Sequence, residues 1–268
     1  MKILLTSGGT RTKIDEVRHV GNLSSGTFGR HLCNALLWMG HDVTFLYAKG
    51  SKCPHELRLD LRTVGSLETE DALAWFLRIE EKYHPIAYDD FDDYAAKLKE
   101  CLKQSPEVVV LAAAVSDYAP VPAEGKISSE LDEMTIRMVK TPKLIRGIRE
   151  VLPKCFLVGF KLLVDSTDEQ LEHAMGEQKH KAAVDLVVGN DLRDIKANQH
   201  KLTLLGCDGH IYELGPKPGS ELATDLAKEI IRDAETMQGK YDDLGAWGWE
   251  WVHDERGWGI KGVHNGKV

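Results

Sequence analysis

The sequence predicts an α/β fold, a doubly wound, mostly parallel sheet with an antiparallel arm and a hairpin outside its core. Three observations lead to it. Apolar runs of strand length at residues 3–5, 107–115, 156–161 and 183–191 lack the alternation of a half-exposed strand and suit strands buried on both faces. Stretches of helical period lie between them, as parallel strands require of their crossovers. Several strands run directly into glycine or small polar residues, and ligands of doubly wound sheets gather beyond the carboxyl ends of strands.

The first 29 residues carry the strongest functional signal. Ile3-Leu4-Leu5 breaks into Thr6-Ser7-Gly8-Gly9-Thr10, where adjacent glycines allow a tight turn and leave backbone N–H groups free to hold an anion. A second turn, Asn22-Leu23-Ser24-Ser25-Gly26-Thr27-Phe28-Gly29, supplies a capping serine and leads into residues 30–37, apolar at helical spacing. Unpaired N–H groups and the positive dipole end converge at a helix start, so the two turns read as one split phosphate or nucleotide site. Asp15, Arg18 and Asn22 lie between them. This is not the standard dinucleotide loop. Residues 24–29 keep only the last two glycines of G-x-G-x-x-G, and about fifteen residues separate strand from helix.

With 268 residues and 43% hydrophobic content, the chain can bury a sizeable core. We divide it into a single nucleotide-binding domain at 1–237 and a Trp-rich appendage at 238–268. A formal charge of -8 argues against a general nucleic-acid binder. Five scattered cysteines, without a C-x-x-C pair or zinc spacing, fit reduced thiols of a cytoplasmic protein. No apolar stretch reaches the length of a signal peptide or membrane span, and no residue is assigned to a metal.

After the first helix, Gly40 is a stop and residues 41–47 read as the second strand, completing a βαβ unit. Residues 48–61 read as a loop, 61–64 as a short third strand, and 68–82 and 91–104 as helices, the latter with Tyr94, Leu98 and Leu102 on one face. Residues 83–90, containing Pro85, read as a break between them. The strand at 107–115 ends in Ser116-Asp117-Tyr118-Ala119-Pro120, which places Asp117 either toward a ligand or in an Asx turn or helix cap. A polar excursion at 122–133 precedes an exposed antiparallel strand at 134–140. Thr141-Pro142 then opens a helix over 143–150 with proline in its first turn. Residues 167–181 form a further helix, 201–205 and 210–214 a hairpin about Gly206-Cys207-Asp208-Gly209, and 220–237 a capped amphipathic helix. Trp247, Trp249, Trp251 and Trp258 mark the tail as a packing appendage or a terminal interaction element.

The ordered set Thr6–Thr10, Ile14-Asp15-x-Val17-Arg18, Asn22-x-Ser24-Ser25-Gly26, Gly29, Ala113-Ala114-Val115-Ser116-Asp117-Tyr118, Lys126-Ile127-Ser128-Ser129, Lys140-Thr141-Pro142, Val158-Gly159-Phe160 and Asn190-Asp191 resembles phosphopantothenate-cysteine ligase. The match covers about residues 1 to 235, and the stretch 158–165 is similar to the short, single-function bacterial form. No segment resembles the flavin-dependent decarboxylase that many bacteria fuse to it, so that activity is not expected.

The resemblance implies a Rossmann-like, homodimeric, cytoplasmic enzyme of coenzyme A biosynthesis. It joins 4'-phosphopantothenate to L-cysteine through an acyl-nucleotidylate, using CTP (ahead of ATP) with Mg²⁺ and releasing NMP and pyrophosphate. By the same resemblance the nucleotide lies across Ser7, Gly8, Gly9 and Thr10 and across Ser24, Ser25 and Gly26. Phe160 flanks it, with Lys126, Thr141, Pro142, Lys143 and Leu144 beside it. Of a lysine pair on the helix before Asn190, Lys181 matches the second, whereas the first position reads Glu177, with Lys179 or Lys161 as substitutes. Phosphopantothenate falls to Asn22, Ala113, Ala114 and Asp117, where two subunits meet. Asn22 and Lys126 take the catalytic roles: Lys126, with Lys140 or Lys181 as helpers, offsets the repulsion between carboxylate and triphosphate, and Asn22 holds the oxyanion. For the base that takes the amine proton, Asp117, His19 and water all stay open.

Two other classes compete. A Rossmann-type NAD(P)-dependent oxidoreductase or epimerase could share the opening, but the fingerprint is incomplete and no Tyr-x-x-x-Lys pair is present. A non-catalytic nucleotide-binding module would use the Trp-rich tail to recruit a partner.

Overall fold

Residues 2–7 are so apolar that one strand, β1 (Lys2–Ser7), buries every residue after its first. A strand covered on both faces must be central. β1 pairs in parallel with β4 (Asp42–Ala48) on one side and with β6 (Val108–Leu111) on the other. β5 (Tyr83–Tyr88) lies beyond β4, while β9 (Phe156–Leu163) and β10 (Leu186–Asp191) follow β6, all parallel. Antiparallel β11 (His200–Leu205) and β12 (Ile211–Lys217) finish that side, giving the order β12-β11-β10-β9-β6-β1-β4-β5. The chain builds outward from β1 in one direction and then returns to build in the other. The gap between β1 and β6 is therefore a topological switch point, where doubly wound sheets open a crevice.

The structure is a computed structural model that describes residues 1–54, 80–130, 132–196, 200–243, 248–254 and 257–263, from residue 240 on as backbone only. The expected strand at 61–64, most of the helix at 68–82 and Trp247 lie outside the described residues. Helices α1 (Thr27–Trp38), α2 (Phe91–Leu102), α3 (Ile148–Val151), α4 (Asp168–Ala182), α5 (Leu192–Lys196) and α6 (Gly219–Asp243) flank the sheet. Alternation along β1 sorts the core: Ile3 and Leu5 pack with Leu32 and Leu36 of α1 and Leu226 and Ile230 of α6, and Leu4 faces Tyr94 and Leu98 of α2 and Met175 of α4.

Several expectations are corrected. Residues 83–88 are a strand, not a break, because among the described residues β5 is the edge of the sheet, paired with β4, and there Pro85 needs no ladder partner on its open side. Helix α1 starts at Thr27 with Gly26, in the left-handed region (φ 75°), at the cap position; Ser25, one residue earlier, accepts from Thr27 N through its Oγ (3.4 Å). The insertion between β1 and α1 holds a small hairpin, β2 (Arg11–Lys13) with β3 (His19–Gly21). β6 is four residues long, since from Ala112 the chain bends to follow the loop after β1. Only Met138–Lys140 of the expected exposed strand forms (β8), pairing with β7 (Tyr118–Pro120). Thr141-Pro142 does not open a helix. Thr141 is tied back to Asp117 O (2.9 Å) and Ser116 O (2.6 Å), so a 3-10 turn begins only at Leu144 and leads to α3.

The hairpin about residues 206–209 and the capping box of Thr167 and Gln170 on α4 form as read. Helix α6 continues past the expected boundary at 237 to Asp243. A separate hairpin, β13 (Gly248–Asp254) and β14 (Gly257–Val263), carries Trp249, Trp251 and Trp258.

One buried ion pair fastens the back of the sheet. Arg149 of α3 is 1% exposed, pairs with Asp185 and donates to Ala183 O (2.8 Å), while Asp185 accepts from Leu157 N (2.7 Å). Removing one partner strands the other charge in the interior. Arg149→Met should cost about 3–5 kcal/mol in urea-denaturation stability, and combining it with Asp185→Asn, which keeps an acceptor for Leu157, should recover part of the loss.

Candidate active site

Backbone and side-chain hydrogen bonds knit the loop after β1 to the loop after β6. Ala114 N donates to Gly8 O (2.8 Å) and Thr10 N to Ala114 O (3.0 Å); Ala113 N donates to Thr6 Oγ1 (3.1 Å) and Ser116 N to Thr10 Oγ1 (2.9 Å). The threonines of the first turn are thus consumed in shaping it. Asn22 N donates to Thr10 O (3.3 Å), and Asn22 Nδ2 donates to Ala114 O (2.7 Å), which fixes the amide while leaving its second N–H free. The second turn is pressed onto the first: a Cβ at Gly29 would lie 2.2 Å from Ser7 Oγ, so only glycine lets α1 approach the end of β1 this closely.

Above these turns lies a cavity of about 940 Å³, at the switch point. Ser7, Gly8, Ser24, Ser25 and Gly26 line one wall, Asn22, Ala113, Ala114 and Asp117 the middle, and Thr141, Pro142, Lys143 and Leu144 a third side with Phe160. Gly9 and Thr10 stand behind the wall: Gly9 packs on Asn22, and Thr10 is fully buried. Lys126 is exposed on the arm and does not line the cavity of its own chain. Lys181 is also outside, paired with Glu177 at 2.9 Å. Lys143, the one lysine or arginine lining the cavity among the described residues, is ion-paired with Asp117.

The arm that carries Lys126 is anchored beside the site by Asp15. Its carboxylate, 2% exposed, accepts from Val17 N (2.9 Å), Arg18 N (2.7 Å) and Ile127 N (3.1 Å), and Arg18 reaches on to Ile127 O (3.0 Å). Burial pushes this carboxyl up, but the three N–H groups and the Arg18 guanidinium together hold it below its ordinary value.

Sequence reasoning missed several cavity residues. His31, Gln178, His200 and the start of α6 at Gly219 and Ser220 all line it. Burial, then Arg30 and His200, lower the affinity of His31 for a proton. Phe28 sits 6.2 Å from Phe160 edge-on and 6.3 Å from His200, making an aromatic floor. Only Gly159, a glycine in a buried strand, hinted at the close approach of α4 that brings Gln178 in.

Asn190 lines the cavity at the end of β10, and Asp191 anchors that end. Asp191 accepts from Ser166 N (2.8 Å), Arg193 N (2.9 Å), Ser166 Oγ (2.9 Å) and Arg193 Nε (3.1 Å). Among the described residues no group of three or more His, Cys, Asp or Glu is placed to hold a metal, and no helix is long and apolar enough to cross a membrane.

A Rossmann-like α/β sheet with its cavity at the switch point and glycine turns for a floor is the class of protein these features define. The chain belongs to the family described as DNA/pantothenate metabolism flavoprotein, C-terminal domain, whose model matches residues 1–71 and 91–234. Among relatives, the coenzyme A biosynthesis bifunctional protein CoaBC of Thermococcus kodakarensis is 31% identical over 230 residues, 85% of this chain and 50% of that protein. The phosphopantothenate–cysteine ligase of Mus musculus is 32% identical over 232 residues, covering 73% of each. The chain spans about half the length of the bifunctional relatives it matches. Among solved structures, the DNA/pantothenate metabolism flavoprotein from Streptococcus pneumoniae superposes with a TM-score of 0.71 at 27% identity, over 87% of this chain and 99% of that one. A Cab2 mutant in complex with phosphopantothenate-cysteine shares the fold at a TM-score of 0.69 and 23% identity, over 90% of this chain and 88% of that one.

The N–H groups of Ser166 and Arg193 foremost, then the Ser166 hydroxyl and the Arg193 guanidinium, hold the Asp191 carboxyl far below its ordinary value of 3.8. A depressed carboxyl stabilises the fold above its unfolded value and loses that contribution as pH falls toward the folded one. Wild-type stability should therefore drop between about pH 4 and pH 2, and Asp191→Asn should flatten that acid limb in thermal melts while lowering stability at pH 7.

Proposed function

We propose that the chain is a phosphopantothenate–cysteine ligase of coenzyme A biosynthesis, with residues 1–237 as one ligase domain and 238–268 as an appendage without an assigned role. One observation carries the reading: both glycine turns, Asn22, Ala113, Ala114, Asp117 and Phe160 meet around a single ligand-sized cavity. The hairpin β2–β3 between β1 and α1 argues against the NAD(P) reading, which needs the helix to follow the strand directly.

In the first step, a carboxylate oxygen of 4'-phosphopantothenate bonds to the α-phosphorus of the triphosphate, and the bond to pyrophosphate breaks. In the second, the cysteine nitrogen bonds to the acyl carbon, the bond to the nucleotide oxygen breaks, and the amine proton leaves to Asp117, His19 or water. Backbone N–H groups at Gly8 and at residues 24–26, which line the cavity, hold phosphates without adding net charge. The free N–H of Asn22 supports the oxyanion of the second step. CTP ahead of ATP is the cosubstrate, in keeping with the likeness of residues 158–165 to the bacterial form. Mg²⁺ enters as the counter-ion of the triphosphate, because the described residues offer no ligand cluster.

A homodimer supports the charge balance. The cavity's own lysine is already paired with Asp117, so further positive charge must come from elsewhere. Val17, Leu23, Tyr118, Val121, Met138 and Val139 are exposed apolar residues on the hairpin and arm, Leu23 wholly so at 106%. A second copy covering them would bring its Lys126 toward the first copy's cavity. Five unpaired cysteines are in keeping with the cytoplasm.

Pyrophosphate release with phosphopantothenate and each triphosphate, with and without cysteine, tests the reading; no release with any triphosphate removes it. Asn22→Ala should keep pyrophosphate release yet lower phosphopantothenoylcysteine formation on the order of 100-fold. Lys126→Ala should lower pyrophosphate release itself by a similar order. Both variants forming product at the wild-type rate would show these roles to be misplaced.

A further inference from the structure

The edge strand β5 ends in a tyrosine that reaches the site from behind. Tyr88 is fully buried, and its hydroxyl donates to Ser7 O (2.9 Å), the carbonyl that leads into the first glycine turn. Its ring packs edge-on against Tyr94 of α2, with centroids 4.9 Å apart at 62°, and Tyr94 lines the cavity whereas Tyr88 does not. Burial first, then Tyr94, pushes the Tyr88 phenol above its ordinary range, so at neutral pH it keeps its proton and donates.

What this bond does follows from the peptide between Ser7 and Gly8. Asp42 N donates to Met1 O (3.0 Å), and alternation along the parallel ladder turns the carbonyls of Ile3, Leu5 and Ser7 the same way, toward β4. A trans peptide is planar with its C=O and N–H opposed, so the Gly8 N–H points the other way, toward β6 and the crevice at the switch point. Gly8 lines the cavity, and among the described residues no acceptor takes its N–H. Its own carbonyl is occupied, accepting from Ala114 N (2.8 Å). One end of the Ser7–Gly8 peptide is therefore fixed within the fold, and the other is offered to a ligand.

Ser7 is the last rung of the β1–β4 ladder, opposite Tyr47. A ladder bond uses one lone pair of its carbonyl, and the phenol takes the other. The second donor holds the peptide plane where the strand ends. It also draws charge onto the oxygen, which makes the N–H at the opposite end a stronger donor. The loop after β4 backs the turn closely: a Cβ at Gly8 (φ 83°) would lie 2.7 Å from Ala48 Cβ and 2.9 Å from Ser51 Oγ.

We propose that Tyr88 is a positioning residue of the site: through the Ser7–Gly8 peptide, its hydroxyl aims and polarises the Gly8 N–H for a phosphate group of the nucleotide. This assignment rests on the ligase reading for the identity of the anion, a nucleoside triphosphate, and deepens that reading by naming what orients the donor.

Ser7-Gly8 and Ser25-Gly26 are the two Ser-Gly dipeptides of the sequence, so isotope labelling of serine carbonyls and glycine nitrogens leaves only the Gly8 and Gly26 amides in a carbonyl-to-amide NMR correlation spectrum. In wild type, CTP or ATP with Mg²⁺ should move the Gly8 amide proton downfield. Tyr88→Phe, which keeps the ring, should shrink that movement, leave the response of Gly26 in place, and weaken triphosphate binding about fivefold in equilibrium dialysis, the worth of about one hydrogen bond. No movement of the Gly8 amide in wild type with either triphosphate, binding by Tyr88→Phe within about twofold of wild type, or an equal loss of both amide responses overturns the proposal. If Tyr88→Phe fails to melt cooperatively, meta-fluorotyrosine in place of Tyr88 decides: its more acidic hydroxyl donates more strongly and should enlarge the Gly8 movement and tighten the triphosphate, and no change in either overturns the proposal as well. A loss of triphosphate affinity in Tyr88→Phe, in a chain that releases no pyrophosphate with phosphopantothenate, would keep the role of Tyr88 and remove the ligase instead.

Discussion

The parallel pairing of β1 with β6 is the interaction on which the site depends. Its ladder runs from Ile3 opposite Val108 to Thr6 opposite Leu111, then continues past the strands as the bridge between Gly9 and Ala114. A switch point in a doubly wound sheet normally leaves a crevice whose two loops are independent. Here Thr6 Oγ1 and Thr10 Oγ1 accept from Ala113 N and Ser116 N across it, and Asn22 closes the third side by donating to the same Ala114 carbonyl that accepts from Thr10 N. The polar floor of the cavity is therefore held by backbone and side-chain bonds within the fold, so little reorganisation is left for a ligand to bring about.

Farther from the ladder, carboxylates do the same work with fewer residues. Asp15 gathers three N–H groups and thereby joins the β2–β3 insertion to the arm at Ile127; Asp191 gathers Ser166 and Arg193 and fixes the end of β10. Each satisfies otherwise unpaired backbone donors in a loop, where no strand or helix can supply acceptors. Both carboxyls are held below their ordinary values for that reason.

Much of this was legible in the residues, because the signals involved are local. Buried strands announce themselves by unbroken apolar runs, Thr167 and Gln170 by their capping-box spacing, and the turn at 206–209 by its glycines. What was not legible depended on neighbours distant in sequence. β5 looked like a break because Pro85 cannot serve a central strand, and only its place at the edge makes it acceptable. Pro142 looked like a helix start, but the bonds from Thr141 to Ser116 and Asp117 hold that segment extended. Gln178 itself gave no signal, since what aims it is a missing Cβ on another strand, and Gly159 was the hint. The resemblance located Asn22, Ala113, Ala114 and Asp117, which line the cavity, and Lys126, which its own chain leaves outside.

That last placement bears on how charge is balanced under the ligase reading. A triphosphate and a phosphorylated acid bring several negative charges into one cavity, and repulsion between them rises as water is excluded. Glycine-turn N–H groups are dipoles: they orient phosphates but cannot neutralise them. Lys143 is spent on Asp117 until a ligand competes for one of the two, and an anion that drew Lys143 away would free Asp117 at the place assigned to phosphopantothenate. Binding of the nucleotide would then raise the negative charge facing the second substrate unless another cation arrived with it. A lysine from a neighbouring copy would meet that need, and so would a metal carried by the triphosphate, each entering only when the site is being assembled. On this view the pairing of Lys143, the one lysine or arginine lining the cavity among the described residues, leaves the charge balance under that reading to a cation that arrives with the ligands.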